Sequence, residues 1–366
     1  MAGFDDVRGV LDRTLAVVMA GGAGERFWPI SRRNRPKPFI SLVGGKPLVN
    51  MAIERLTPPL RQSQVFMVLG EALVPLVEEV MPGFPETQLL VEPIARNTLG
   101  AVMLATARSM LNGDDAIVAI LPADHWVPDV DLFRQDFADA LALADEGYLV
   151  TMGIRPTRPE TGYGYIQASE SFVGNRAVLA DRFVEKPDRA TAAEYLSDGR
   201  FYWNSGMFFF RQDRIIEEIR RVNPGWPEIV KRMSEALTFP DASCSEVLRE
   251  QLLALPNTSV DFALMEQARG MALLPARYRW SDVGSWDTVA DLASQAKATE
   301  TVILGSGEDP CHVFRSPDGP LVALVGIEGC VVAATKDAVL VLRKGQGQRV
   351  RDVVDELKDR GLDDLI

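Results

Sequence analysis

The sequence predicts an α/β protein with a mixed, mainly parallel sheet, followed by a small β-rich unit at its C-terminal end. Short apolar runs bounded by turn residues alternate with helical patterns through the first two thirds of the chain, which is typical of βαβ units. A glycine-rich turn directly follows the first of these runs. Beyond residue 300 the pattern changes to short alternating runs separated by Gly, Asp or Pro.

The predicted strands of the first part are short and apolar or β-branched, and the predicted helices lie between them. The strands are 15–20, 65–69, 117–121 and 148–153. The helices are 48–56, 97–111 and 132–145, with further helical patterns at 187–200 and 212–221. In such a sheet ligands bind beyond the carboxyl ends of the strands, so we expect a site near the first glycine turn.

The C-terminal unit is expected to contain four short strands and a closing amphipathic helix. The strands are 311–315, 321–326, 331–334 and 338–342, and the helix is 346–362. Short strands of this kind are compatible with coils of a left-handed β-helix. Residues 287–301 are predicted to form a helix or connector, so the two domains are expected at 1–290 and 300–366, sizes that are usual for domains.

Composition excludes several classes of protein. The net charge of −12 is opposite in sign to the surface that nucleic-acid binding needs. No segment approaches the roughly 20 apolar residues of a membrane-spanning helix. The three cysteines, Cys244, Cys311 and Cys330, are odd in number and widely spaced, which favours free thiols in a reducing compartment. We therefore expect a cytoplasmic protein without nucleic-acid or membrane partners.

The glycine loop, residues 21–37, has the composition of an anion site. Gly21, Gly22 and Gly24 follow the first strand, and the cations Arg26 and Lys37 come after them. Glycines permit positive φ and bring backbone N–H groups close to a ligand, while Arg and Lys can bind phosphate oxygens. The loop therefore predicts polyphosphate binding, although an ordinary βα turn with surface basic residues remains an alternative.

Two better-known phosphate loops do not match. A Walker loop would end in Gly-Lys-Ser/Thr, and no such run follows Gly24. A dinucleotide fingerprint starting at Gly22 would need glycine at position 27, where the chain has Phe27. This mismatch disfavours a nicotinamide-dependent oxidoreductase.

Two aspartates are candidate magnesium ligands. Asp124 ends an apolar strand in the motif L-P-A-D-H, and Asp282 lies in W-S-D-V-G-S-W. Mg²⁺ typically binds one or two carboxylates together with substrate phosphate oxygens. The structural alternatives are a helix N-cap or turn residue for Asp124 and a polar turn between tryptophans for Asp282.

Further polar motifs point to a ligand with hydroxyl and phosphate groups. Glu185 and Lys186 lie side by side in F-V-E-K-P, where both can reach one ligand only if the strand kinks, and Pro187 makes a break plausible. The alternative is an exposed ion pair. Asn204 can donate to and accept from hydroxyls, and Asn97 or Thr98 is a candidate helix N-cap.

The motifs taken together resemble the sugar-1-phosphate nucleotidylyltransferases. The string G-G-x-G-x-R-x-W-P-x-S-R, followed by P-K-P-F, is similar to the signature of that family. Trp28-Pro29, Ser31-Arg32 and the later E-P-I-A-R-N-T resemble its mannose-1-phosphate guanylyltransferase branch. The chain departs from that branch at Pro38, where Gln is usual.

The resemblance implies a Rossmann-like nucleotidyltransferase domain that uses Mg²⁺, GTP and mannose 1-phosphate to make GDP-mannose and pyrophosphate. It also allows a homodimer through the C-terminal unit. It implies a nucleotide site at the glycine loop, Asn97 and Asp124, and metal ligation by Asp124 and Asp282. The implied sugar-phosphate residues are Tyr163, Gly164, Glu185, Lys186 and Asn204, and the implied catalytic residues are Arg26, Lys37, Asp124, Lys186 and Asp282.

Two alternatives stay open at this point. The first is the same reaction with another sugar or base, such as glucose 1-phosphate with UTP or dTTP. The second is a non-catalytic regulator that binds a nucleotide sugar, which loss of Arg26, Lys37 or either aspartate would favour; all four residues are present.

Overall fold

The computed structural model describes residues 7–22, 24–174, 176–238, 242–293, 302–304 and 309–366. One large sheet contains nine strands: β1 Thr14–Met19, β2 Val65–Gly70, β3 Leu89–Glu92, β4 Ile117–Pro122, β5 Leu149–Ile154, β6 Tyr165–Val173, β7 Ala177–Val184, β8 Phe201–Arg211 and β9 Met271–Pro275. Two small sheets contain β10 Val302–Leu304, β11 His312–Arg315, β12 Ala323–Val325, β13 Cys330–Ala334 and β14 Val339–Arg343.

Helices alternate with these strands along the chain. They are α1 Arg8–Asp12, α2 Leu48–Glu54, α3 Val74–Val80, α4 Asn97–Met110, α5 Val130–Asp145, α6 Arg189–Asp198, α7 Gln212–Val222, α8 Trp226–Thr238, α9 Ala242–Leu253, α10 Val260–Ala263, α11 Trp286–Ala293 and α12 Val350–Asp359. Among the described residues, none of these helices combines the length and the apolar composition that crossing a membrane requires.

The large sheet is mixed, as expected. Its strand order is β3-β2-β1-β4-β8-β5-β9-β7-β6. The first four strands are parallel, β8 runs antiparallel to both β4 and β5, and β6 and β7 form an antiparallel pair. The carboxyl ends of β1, β3 and β4 therefore meet at one edge, which is where a ligand site is expected.

The strands of the parallel half are buried on both faces, which explains their continuous apolar sequences. In β1, Ala16 and Val18 face one hydrophobic cluster, and Leu15 and Val17 face the other. The predicted strands at 15–20, 65–69, 117–121 and 148–153 are thus confirmed with small shifts at their ends.

The predicted alternation of strands and helices does not describe the second half of the sheet. Only the end of β7 was predicted, from the F-V-E-K-P motif, whereas β6, β8, β9, α8 and α9 were not predicted. β8 lies in the middle of the sheet between two helical segments of sequence. The helix predicted at 187–200 is shorter: the Asp188 carboxylate accepts a hydrogen bond from the Thr191 N–H at its start, and Gly199 ends it in the left-handed conformation.

The C-terminal unit (residues 300–366) contains β10 to β14 and α12. Strands β11 and β13 are parallel, and β14 returns antiparallel to β13. The closing helix predicted at 346–362 begins later, at Val350, after a short 3₁₀ turn at Gly347–Arg349. The expected domain boundary lies between residues 290 and 300, most of which are outside the described residues, and it stays a prediction.

A third hydrophobic core joins the glycine loop to the C-terminal unit. Phe27 and Trp28 of the loop are buried there together with Trp286 of α11. Val331 of β13 and Val350 of α12 complete this core from the C-terminal side. The loop therefore packs on both parts of the chain.

Candidate active site

A cavity of about 580 Å³ lies beyond the carboxyl ends of the strands. Gly21 and Gly22 line it from the glycine loop, and Asp124 lines it from the end of β4. Tyr163 and Asp282 line the opposite side. The cavity thus brings together motifs that are far apart in the sequence.

The glycine loop has the backbone conformation that its sequence predicts. Gly22 and Gly24 have φ of 95° and 62°, values that favour glycine. A Cβ atom on Gly24 would lie 2.6 Å from the Cβ of Lys37. Glycine at position 24 therefore lets the two ends of the loop approach each other.

Lys37 is buried and joins the two aspartate segments. Its Nζ donates a hydrogen bond to Asp124 Oδ2 at 2.6 Å and another to the backbone oxygen of Asp282. The structure therefore directs Lys37 toward the aspartates, whereas the sequence suggested only an aim toward phosphate.

Backbone pairing keeps the two aspartates close to each other. The Trp126 N–H donates to the Ser281 oxygen at 2.9 Å, and the Ser281 N–H donates back to Trp126 at 3.1 Å. Each of these residues is within two positions of an aspartate. The alternative of Asp124 as a helix N-cap is wrong, since α5 begins only at Val130.

The surroundings of Asp124 favour its ionised form. Burial opposes ionisation, but the charge of Lys37 and its hydrogen bond hold the pKa of Asp124 below its ordinary value. Burial lowers the pKa of His125 to about 3, so its imidazole is neutral. The Trp280 Nε1–H donates to His125 Nδ1 at 3.2 Å, which assigns the ring proton to Nε2.

Asp282 lies in a polar pocket of its own loop. The Tyr163 hydroxyl donates to Asp282 Oδ1 at 2.5 Å. Burial raises the pKa of Asp282 above its ordinary value, and the negative charge of Asp124 adds to that rise. A Cβ on Gly284 would lie 2.7 Å from Asp282 Oδ2, so the glycine leaves room for the carboxylate.

The pair Asp124 and Asp282 has the donor chemistry of a magnesium site. Two carboxylates face one cleft, and the charge of Asp124 raises the cost of ionising Asp282, which a bound cation would offset. Within the described ranges there is no group of three or more Asp, Glu, His or Cys placed to hold a metal. Such a pair fits Mg²⁺, which commonly completes its coordination with water and substrate phosphate.

The expected sugar-phosphate residues lie at one end of the cavity, with Lys186 as the exception. Gly164, Glu185 and Asn204 line it, and the Asn204 amide donates to Asp261 Oδ1 at 2.9 Å. Burial and the charge of Glu185 raise the pKa of Asp261 to about 6. Lys186 has φ of 48°, which gives the expected kink, and its exposed Nζ pairs with Glu185 Oε1 at 2.9 Å.

Asn97 reaches the cavity from the first turn of α4. Its φ of 56° is in the left-handed region, and its Oδ1 accepts a hydrogen bond from the Thr98 N–H. The capping position itself is Arg96, without a side-chain cap, so the N-cap alternative for Asn97 and Thr98 is wrong. Thr98 Oγ1 instead accepts from the Val260 N–H.

Glu92 is a cavity residue that the sequence reasoning missed. It ends β3 and lines the cavity, and no hydrogen-bond donor within the described residues reaches its buried Oε1. Burial raises its pKa to about 7. Gly100 makes room for it, because a Cβ there would lie 3.2 Å from Oε1. The signal was its place at a strand end, directly before Pro93.

Arg26 lies beside the main cavity rather than in it. It lines an adjoining cavity of about 700 Å³ with Arg158, Ser285 and Thr288. Tyr163 and Asp282 line both cavities and so connect them. The guanidinium Nη1 donates to Gln348 Oε1 of the C-terminal unit at 3.2 Å.

Comparison with known proteins gives concordant matches. Residues 15–299 match the family model described as nucleotidyl transferase, and 311–357 match the mannose-phosphate isomerase/GMP-like β-helix domain. The chain is 36% identical over 348 residues to the xanthan biosynthesis protein XanB of Xanthomonas campestris pv. campestris, covering 95% of this chain and 74% of that protein. It is 35% identical over 354 residues to an Escherichia coli mannose-1-phosphate guanylyltransferase, covering 94% and 74%.

A solved structure from Thermus thermophilus has the same fold over nearly the whole chain. That protein, described as a mannose-1-phosphate geranyltransferase, is 34% identical with a TM-score of 0.80. The match covers 94% of this chain and 99% of that one. The likeness therefore includes the C-terminal β-rich unit, as the sequence predicted.

Proposed function

Since this chain belongs to the nucleotidyl transferase family and to its mannose-1-phosphate guanylyltransferase branch, we propose that it transfers GMP from GTP to mannose 1-phosphate. The observation that carries this proposal is that Asp124 and Asp282 line one cleft, while the buried Lys37 behind them binds the Asp124 carboxylate and the Asp282 backbone oxygen. An ammonium and two carboxylates form a site that can order a polyphosphate and its metal ion. A non-catalytic regulator has no need for that arrangement.

In the proposed reaction an oxygen of the sugar phosphate attacks the α-phosphorus of GTP. A new P–O bond forms, the bond from the α-phosphorus to the bridging oxygen breaks, and pyrophosphate leaves with the electron pair. A phosphate monoester is already ionised, so no side-chain base is required. Positioning and charge neutralisation carry such a step.

Each charged residue has a distinct part in the proposal. Asp124 and Asp282 would hold Mg²⁺, which when bound neutralises phosphate charge. Lys37, held between their segments, opposes the charge that grows on the leaving pyrophosphate. Arg26 does the same from the adjoining cavity, and Lys186 binds the incoming sugar phosphate once it leaves Glu185.

Glu92 supports guanine as the base. Guanine presents N1–H and an exocyclic amine on one edge, and a carboxylate can accept from both. Glu92 lines the same cavity as the glycine loop, and its Oε1 has no hydrogen-bond donor in the described part of the chain. Adenine has an acceptor at N1 and only one amine donor beside it, so a carboxylate placed for guanine would lose at least one hydrogen bond, which costs binding energy.

A substitution tests the guanine assignment. Glu92→Gln should lower kcat/KM for GTP by roughly thirtyfold, about 2 kcal/mol, which is typical for a hydrogen bond to a charged group. Steady-state pyrophosphate release should also show that wild type prefers GTP to ITP and ITP to ATP, and that the variant discriminates less. Equal use of ATP and GTP by wild type would contradict the assignment.

Gly164 limits the space beside the proposed sugar. A Cβ there would lie 2.5 Å from Glu185 Oε2, so Gly164→Ala should displace that carboxylate. We expect KM for mannose 1-phosphate to rise about tenfold, which corresponds to about 1.4 kcal/mol, with KM for GTP little changed. Gly9→Ala is the matched control, because nothing lies within 4 Å of its Cβ position. An unchanged KM for the sugar phosphate would remove Gly164 from the sugar site.

The overall proposal is tested by a substrate panel with pyrophosphate release as the readout. The panel combines mannose 1-phosphate and glucose 1-phosphate each with GTP, UTP, dTTP and ATP. Among these pairs, GTP with mannose 1-phosphate should be turned over fastest. Turnover only with another pair would identify a different nucleotidyltransferase. Nucleotide-sugar binding without turnover of any pair would identify a regulator.

A further inference from the structure

The C-terminal unit contacts the glycine loop at a junction of three segments. The Trp286 Nε1–H donates to the backbone oxygen of Trp28 at 3.1 Å, in the loop. The Trp28 Nε1–H donates to the oxygen of Leu365 at 2.6 Å, near the C-terminal end. Lys358 of α12 pairs with Glu25 at 3.0 Å. The residues on either side of Arg26 and Phe27 are therefore fixed by the C-terminal unit.

One turn of the C-terminal unit is bound directly to the segment that carries Asp282. The Asp287 carboxylate accepts hydrogen bonds from the N–H groups of Gly345 and Gly347, at 2.7 and 2.8 Å. A Cβ on Gly347 would lie 2.7 Å from Asp287 Oδ2, so this approach needs glycine. The turn places the next residue, Gln348, at the edge of the second cavity.

Gln348 contacts Arg26 across that edge. The Arg26 Nη1–H donates to Gln348 Oε1 at 3.2 Å, although the two residues are 322 positions apart. An arginine side chain has many rotamers, and ordering it costs entropy when a ligand binds. A neutral amide acceptor orders the guanidinium in advance without cancelling its charge.

We propose that Gln348 is a positioning residue for Arg26, so that the C-terminal unit takes part in the phosphate transfer. This inference rests on the proposed function, in which Arg26 faces the leaving pyrophosphate. Glutamate at position 348 would neutralise the guanidinium, and an apolar side chain would release it. Glutamine does neither.

The test compares two glutamines of the same turn in the full chain. Gln348→Met keeps the length and removes the acceptor. Gln346→Met is the matched control, since Gln346 is exposed and lines a different groove from the cavity that contains Arg26. Gln348→Met should lower kcat about tenfold, the scale found for groups that orient a functional residue, with KM for mannose 1-phosphate and Tm unchanged. Gln346→Met should behave as wild type.

A double-mutant cycle with Arg26→Met shows whether Gln348 acts through Arg26. In the Arg26→Met background, Gln348→Met should cause no further loss. Additive losses in the double variant, or an unchanged kcat in Gln348→Met, would overturn this inference. The proposed function would still stand in either case, provided that the wild-type protein turns over GTP and mannose 1-phosphate. Absence of pyrophosphate release by wild type would instead overturn the proposed function, and this inference with it.

Discussion

Asp124→Asn and Asp282→Asn are each expected to lower kcat about 10³-fold, by about 4 kcal/mol, with a native fold retained. The amide is close in shape to the carboxylate but carries no charge, so it binds Mg²⁺ poorly. Turnover is measured by pyrophosphate release at saturating GTP, mannose 1-phosphate and Mg²⁺. Asp131→Asn is the matched control, because its side chain is 93% exposed and should leave kcat unchanged.

The two variants should differ in stability. Lys37 reaches Asp124 through the carboxylate but reaches Asp282 through the backbone oxygen, so only Asp124→Asn removes the charge that partners a buried ammonium. Thermal unfolding should therefore show a larger loss of Tm for Asp124→Asn than for Asp282→Asn. Near-normal kcat in either variant would remove that residue from the metal site.

Lys37→Met is expected to lower kcat about 10²-fold, since losing one preorganised group at a developing charge typically costs about 3 kcal/mol. Methionine keeps most of the buried volume, which separates loss of charge from loss of packing. The loss should appear in kcat more than in KM for GTP, because the charge that Lys37 opposes grows in the transition state.

Lys46→Met is the matched control for this substitution. Lys46 pairs with Glu54, and both side chains are more than half exposed, so its loss should leave kcat and Tm nearly unchanged. Lys37→Arg should recover only part of the activity, because the larger guanidinium does not fit between Asp124 and the Asp282 backbone. Wild-type kcat in Lys37→Met would show that the ammonium has a structural role only.

The parallel half of the fold could be predicted because its pattern is local. β1 and β4 are buried on both faces, so their apolar runs are visible in the sequence. β8 could not be predicted in this way. It joins the two halves of the sheet, but its middle contains Asn204 and Gly206, and its register with β5 shifts between Thr151 and Gly153. Only tertiary pairing explains such a strand.

In the candidate site, too, the residues could be predicted from local motifs, but the contacts between them could not. Asp124 and Asp282 were identified from their motifs, but the Lys37 bridge between them spans 87 and 245 positions of sequence. Glu92 was missed because a strand end before a proline is a weak signal, while its distinguishing property, a buried oxygen with no donor among the described residues, is visible only in the structure. Sequence motifs thus identify candidate site residues, but only the three-dimensional structure shows which of these residues contact one another.

The third hydrophobic core limits how this enzyme could be recombined with its relatives. Phe27 and Trp28 belong to the glycine loop, yet they are buried against Val331 and Val350 of the C-terminal unit. A chimaera that exchanged only residues 300–366 would therefore replace the C-terminal side of this core and keep the glycine-loop side unchanged. Functional exchange of that unit should therefore require transfer of the loop residues as well, because both segments contribute to one core although they are about 300 positions apart in the chain.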